Sequence, residues 1–142
     1  NKKAFLEHAK VFGYYYGTTQ KWVEEKLRAG ISVILEIDWQ GAEQIKQKMP
    51  ECVSIFIVPP SLSVLENRLL ERGQDNPEVI AKRMSAARAE ISHYGEFDYL
   101  VVNDAFSKAL QELKAIIISQ HLKLKFQQHK YAVLLNNLLK SN

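Results

Sequence analysis

The sequence predicts an α/β fold, a parallel sheet with flanking helices. Two runs, Ile31–Ile37 and Cys52–Val58, are short and almost continuously apolar, and Tyr99–Val102 is a third, shorter one. Runs of this kind suit strands buried on both faces. Segments with helical spacing lie between them, and strands alternating with helices build a parallel sheet. Ligands of such sheets bind beyond the carboxyl ends of the strands. That rule marks Asp38, Pro59-Pro60 and Asn103-Asp104 as the rim of a site.

The elements follow in order. Ala4–Phe12 alternates loosely up to Gly13, and Tyr14-Tyr15-Tyr16-Gly17 is rich in β formers. Thr18 or Thr19 can cap a helix with Trp22, Val23 and Leu27 on one face, and Gly30 stops it. After the first apolar strand a second helix is predicted from about Gly41 to Met49, ending before Pro50. Pro59-Pro60 stops the second strand. Ser61 caps a third helix with Leu62, Leu65, Leu69 and Leu70 inward, broken at Gly73-Gln74-Asp75. Asn76 as N-cap and Pro77 at the first helical position start a fourth. From about Ser107 the pattern is helical to the end, with an interruption expected near Lys123–Gln128. All six glycines and all four prolines precede Glu96, so the last third carries no strong punctuation.

The 142 residues suffice for one domain with a core, and 46% hydrophobic with 25% charged residues is ordinary for a globular chain. No apolar run reaches membrane-span length and no signal-peptide pattern occurs, so a cytoplasmic location and no membrane partner are expected. Cys52, the one cysteine, excludes an internal disulfide and is read as a buried, inert thiol. The net charge of +3 divides into +4 from Gln111 onward and −1 before it. The tail lysines are scattered, so a solvated helix face is expected and not a nucleic-acid surface. The chain starts at Asn1 without Met and is apolar within three residues, which suggests a cut through a larger protein.

Three groups of residues could carry chemistry. The first is Glu36 and Asp38, acids at the end of an apolar strand. A carboxylate there can hold Mg²⁺, directly or through water, or Asp38 can simply cap the next helix. The second is arginine: Arg68 and Arg72 share a helix face, and Arg83 and Arg88 follow across a turn rich in Gly, Asp, Asn and Pro. Planar guanidinium groups bind phosphate oxygens bidentately, so this can be a phosphate-clamping lid. Glu66, Glu71, Glu78 and Glu90 equally allow surface ion pairs. The third is Glu7, Tyr16 and Thr18. A carboxylate accepts from guanine N1–H and its exocyclic amine, and a threonine hydroxyl reaches O6, so together they would reject adenine, while Glu7 taken alone reads as a solvated residue. His8, His93, His121 and His129 show no metal spacing and are read as surface or capping residues. Trp22 and Trp39 are read as packing residues.

The order of these segments resembles guanylate kinase of the bacterial type. Phe5-Leu6-Glu7-His8-Ala9, Tyr15-Tyr16-Gly17-Thr18, Leu35–Gly41, Pro59-Pro60-Ser61, Arg68–Gly73, Ala86-Ala87-Arg88 and Val102-Asn103-Asp104 carry the resemblance, which runs to about Leu122. It implies a P-loop NTPase-like core with a β-rich GMP-binding insertion and a helical lid. In those terms the chain is one domain incomplete at its start. Residues 1–18 would end the GMP-binding subregion, 19–122 form the core with a lid at about 68–88, and 123–142 form a helical tail. The implied reaction is phosphoryl transfer from ATP to GMP with Mg²⁺, in purine nucleotide metabolism. Glu7 and Thr18 would read guanine, with Gly17 beside them, and Tyr16 would bond the GMP phosphate. Glu36 would lie near GMP and Asp38 near the metal. Arg68, Arg72 and Arg83 would act on phosphates, Arg72 and Arg83 at the transferring group, and Asn103 on the adenine side.

One departure is plain. No G-x-x-x-x-G-K-[ST] occurs in these 142 residues, so the chain by itself is expected to have little activity. A catalytically dead, peptide-binding scaffold domain of the same family is the alternative reading. The Tyr131, Leu134, Leu135, Leu138 stripe of the tail has to pack on its own domain or on a second subunit, and it suggests a homodimer contact.

Overall fold

The computed structural model describes residues 5–11, 14–73 and 76–140. Two strands, β1 (Phe5–Val11) and β2 (Tyr14–Thr19), pair antiparallel. The register shifts between Phe5 and Glu7, so that Phe5 faces Thr19 and Glu7 faces Thr18. Helix α1 (Gln20–Arg28) follows directly. Its N-cap is Thr19, whose side chain makes no capping hydrogen bond; strand β2 runs straight into the helix. Gly30 ends it at φ +75°, a conformation that disfavours any side chain.

Residues 31–38 correct an expectation. They join no sheet among the described residues, although their composition predicts a doubly buried strand. Val33 and Leu35 pack on the Val23–Ile45 core, while Ile34 is 75% exposed. Apolar composition cannot supply a ladder; a strand needs a hydrogen-bonding neighbour. Helix α2 (Trp39–Lys48) is capped by Asp38, whose Oδ1 accepts from Gly41 N at 2.9 Å, and it runs beside β1.

Strand β3 (Ile55–Val58) is shorter than the apolar run that predicts it. Cys52 instead packs beside Val23 and Ile45, with its N–H donating to Met49 O. β3 pairs in parallel with β4 (Tyr99–Val102), Ile55 opposite Tyr99 through Val58 opposite Val102. The parallel α/β architecture is therefore present, with two strands in the parallel sheet among the described residues. Burial on both faces is not: Val101 is 2% exposed, but Ile57 and Leu100 are about half exposed. The physical reason is the width of the pair, too narrow for helices to cover both sides.

Between these strands come α3 (Leu62–Glu71) and α4 (Pro77–Ile91), packed on each other. Their caps are those the sequence predicts. Ser61 Oγ accepts from Val64 N, Asn76 Oδ1 accepts from Val79 N, and Pro77 opens α4. Leu69 and Ile80 are the buried residues of this pair, whereas Leu70, predicted inward, is 54% exposed. Helix α5 (Phe106–His121) packs against β4. The tail then forms α6 (Leu124–Lys130) and α7 (Ala132–Lys140). Its breaks fall at Leu122–Lys123 and at Tyr131, so most of the interruption expected at Lys123–Gln128 is helical. Lys123 takes an extended ψ of 138° with no Gly or Pro to mark it. No described helix is long and apolar enough to cross a membrane.

Candidate functional site

The carboxyl ends of β3 and β4 are joined by one further ladder bond. Asn103 N donates to Val58 O at 2.8 Å, which sets Pro59 beside Asn103. Two of the three rim points expected from the strand ends are thus together. A cleft of about 300 Å³ opens there, lined by Val58, Pro59, Ser61, Leu62, Ile91, Tyr94 and Leu100. Its wall joins the tip of β3, the start of α3 and the end of α4, which is where a doubly wound fold leaves space for a ligand.

Arg68 lies on α3, about two helical turns beyond the Pro-Pro stop, and is half-buried. Its Nη1 donates to Asn103 O at 2.7 Å and its Nη2 to Asp104 O at 2.9 Å. The two candidates for the ATP side, Arg68 and Asn103, are therefore in direct contact. Arg72 caps the C-terminus of α3 and is exposed; Gly73 after it turns at φ +61°. Arg83 is half-buried on α4 and Arg88 is exposed one turn and more beyond it. Gln74 and Asp75 of the expected lid turn lie outside the described residues.

Asp38 is half-buried and Glu36 exposed. The capping role of Asp38 is occupied through Oδ1. Helix α4 brings Glu90 toward it: partial burial, and then the Asp38 charge, raise the Glu90 carboxyl above the usual carboxylate range. The sequence gives no sign of this proximity, because the two acids sit on different elements. No group of three or more His, Cys, Asp or Glu side chains among the described residues could hold a metal ion. Mg²⁺ needs no such cage: it keeps several waters and takes one or two carboxylates with phosphate oxygens. One carboxylate with one oxygen committed to a cap fits that chemistry when water intervenes.

On the acceptor side the described structure of Glu7, Tyr16, Gly17 and Thr18 is their backbone register. Glu7 is paired with Thr18, with the register shift immediately before Glu7. Tyr16 faces Ala9 and Gly17 faces His8. Irregularities of this kind re-aim side chains and are frequent beside binding sites. The hairpin runs beside α2, the helix capped by Asp38.

A second cleft of about 280 Å³ is lined by Trp39, Ala42, Glu43, Lys46, Gln47, Ser54, Glu96 and Phe97. His93 stacks on Trp39 with ring centroids 3.7 Å apart and planes 6° from parallel, and its Nδ1 bonds Glu96 Oε1 at 2.7 Å. Trp39 packs as expected, its partner is His93, and their separation in the sequence hides the pairing. His121 likewise meets Ser32 Oγ through Nε2 at 3.2 Å.

The comparisons with known proteins agree with one another. The family model described as Guanylate kinase matches residues 1–120. The chain is 55% identical over 139 residues to the guanylate kinase of Escherichia coli (strain K12), covering 98% of this chain and 67% of the relative. It is 56% identical over 138 residues to that of Vibrio parahaemolyticus, with 97% and 67% covered. The crystal structure of guanylate kinase from Anaplasma phagocytophilum superposes with a TM-score of 0.72 at 35% identity, over 87% of this chain and 59% of that one. This chain thus spans about two thirds of the length of the curated relatives and somewhat less of the solved one. With the α/β parallel pair in place, these matches establish that the chain belongs to the guanylate kinase family.

Proposed function

We propose that this chain carries the GMP-side and phosphate-side residues of an ATP:GMP phosphotransferase, which yields ADP and GDP. The observation that carries the reading is the cross-strand pairing of Glu7 with Thr18 in a chain of this family. A carboxylate and a hydroxyl on facing strands suit the donor and acceptor edge of guanine and leave unpaired groups against adenine.

The other residues take roles that their chemistry allows. Tyr16 donates to the phosphate of GMP, and Gly17 leaves room for the nucleotide to approach. Glu36 serves the GMP side. Arg72 and Arg83 stabilise charge on the transferring phosphoryl group, where planar guanidinium forks are effective. Arg68 and Asn103 serve the ATP side. Asp38 would hold Mg²⁺, directly or through water, and the ion would supply neutralisation of phosphate charge. Positioning and charge stabilisation account for most of phosphoryl-transfer catalysis, so these groups are functional only as a set. The domain reading belongs to the same proposal: 1–18 the end of the GMP subregion, 19–122 the core with a lid at about 68–88, 123–142 a tail. So do a role in purine nucleotide metabolism, a cytoplasmic setting, the absence of nucleic-acid or membrane partners, and a homodimer contact through the tail. The little activity expected of these 142 residues alone rests on the missing Gly-rich phosphate loop within them.

The test is ADP formation by the intact protein with ATP and Mg²⁺, using GMP or AMP as acceptor. GMP should support turnover and AMP should not. Equal rates with both acceptors, or none with GMP, overturn the reading.

A further inference from the structure

Trp39, Ala42, Glu43 and Lys46 follow the i, i+3, i+4, i+7 spacing and so share one face of α2. The segment that joins α4 to β4 lines the same cleft as that face and is fastened to it at both ends. At its start His93 stacks on Trp39, ring centroids 3.7 Å apart and planes 6° from parallel. At its end Lys46 Nζ donates to Glu96 O at 3.3 Å and pairs with Asp98 at 3.6 Å. The bond from His93 Nδ1 to Glu96 Oε1, at 2.7 Å, fixes the plane of the His93 ring. His93 follows Ser92, the C-cap of α4, at φ −86° and ψ 2°, so it sits where the chain leaves the helix. Trp39 in turn opens α2, directly after its N-cap Asp38. The stack therefore ties the end of α4 to the start of α2. Arg83 lies about 12 Å along α4 from its last residue, Ile91.

We propose that His93 is a positioning residue for Arg83: by stacking on Trp39 it pins the C-terminal end of α4 to the start of α2, and so fixes where the helix carries the Arg83 guanidinium. The inference rests on the function proposed above, in which Arg83 acts on the transferring phosphoryl group. His93 takes no part in the chemistry and acts only through α4. Two flat rings in parallel contact resist tilting of the helix end, and a tilt at that end is amplified along the helix. Phosphoryl transfer depends on placement, so a small displacement of a charged group lowers the rate.

Steady-state kinetics of the intact protein with ATP, GMP and Mg²⁺ test this. His93→Ala should lower kcat about three- to tenfold, the range set by loss of an aromatic pair, with both KM values nearly unchanged. His93→Phe keeps a flat ring on Trp39 and should restore most of kcat, which guards against loss of folding in the alanine variant. In an Arg83→Ala background His93→Ala should change kcat little, because the group that the stack positions is already gone. The stack also has an optical signature. Contact with an imidazole quenches indole emission, so the Trp39 emission, taken as the difference from Trp39→Phe, should rise in His93→Ala. A kcat within about twofold of wild type in His93→Ala overturns the proposal. So does a His93→Ala loss of the same size with and without Arg83, which would make the stack a general support of the core. Trp39 emission that His93→Ala leaves unchanged overturns it as well, since the rings then do not stack in solution. A wild type with no GMP-dependent phosphotransfer overturns the proposed function and this inference with it. That result is distinct from the others, all of which require an active wild type or concern the emission alone.

Discussion

Ser54 and Asp98 hold each other by both main chain and side chain at the entrance to the parallel strand pair. Asp98 Oδ2 accepts from Ser54 N and from Ser54 Oγ, each at 2.9 Å, and Ser54 Oγ in turn accepts from Asp98 N at 3.0 Å. Lys46 adds an ion pair at 3.6 Å. The interaction sets the register of β3 on β4 one residue before the ladder begins.

This makes stability depend on pH in a defined direction. The Ser54 amide, aided by the Ser54 hydroxyl and Lys46 against some burial, holds the Asp98 carboxyl below its usual range. A depressed folded-state value means the stabilisation is complete above the unfolded carboxylate's pKa and is lost as pH falls through the folded one. Asp98→Asn should cost on the order of 1 kcal/mol at pH 7, with the gap to wild type closing under acid. Thermal melts from pH 7 down to the acid limit of folding check this. A gap that does not change with pH would show that the charge is irrelevant.

Guanine selection should rest on Glu7. Glu7→Gln should raise the KM for GMP at least about tenfold and leave that for ATP nearly unchanged, because a charged acceptor contributes roughly 1.5–3 kcal/mol. Steady-state kinetics on the intact protein decide it; an unaltered GMP constant removes Glu7 from the base site.

Arg72 and Arg83 should act on the transition state. Alanine at either should lower kcat more than it raises either KM. A turnover number within about twofold of wild type would make them surface ion-pairing residues.

The Cys52 thiol should react slowly. Burial beside Val23 and Ile45, and then the Asp98 charge, raise its pKa above the ordinary thiol value, with Lys46 opposing. Only the thiolate alkylates, so the midpoint of iodoacetamide reactivity should lie above that of free cysteine. Asp98→Asn should bring it down. A midpoint below that of free cysteine contradicts the assignment.

The tail offers a test of assembly. Tyr131, Leu134, Leu135 and Leu138 are all exposed, from 41% to 64%, and Lys125 ties α6 to Glu51 at 2.6 Å. That much apolar surface on a helix is costly in water. Light scattering on the intact protein with and without residues after Gln128 should show a dimer that truncation abolishes. Monomers in both cases refute the dimer contact, and a monomer whose melting temperature falls on truncation places the helix on its own domain.

Local chemistry was legible from the residues alone. The caps at Ser61, Asn76-Pro77 and Asp38 and the stop at Gly30 depend on side chains and backbones a few residues apart, and the structure has them all. The ordered set of motifs was enough to place the chain in its family. What the sequence could not decide was pairing across distance. Ile31–Ile37 has the composition of a buried strand but no ladder, since hydrogen bonding between strands is set by what lies alongside. The Trp39–His93 stack, the approach of Glu90 to Asp38 and the grip of Arg68 on the Asn103–Asp104 turn join elements that no spacing rule connects. Arg68 shows the difference most clearly. Its sequence neighbours suggest a phosphate ligand, whereas the packing of α3 beside the end of β4 puts two carbonyls within its reach, and a guanidinium binds the acceptors it is brought to.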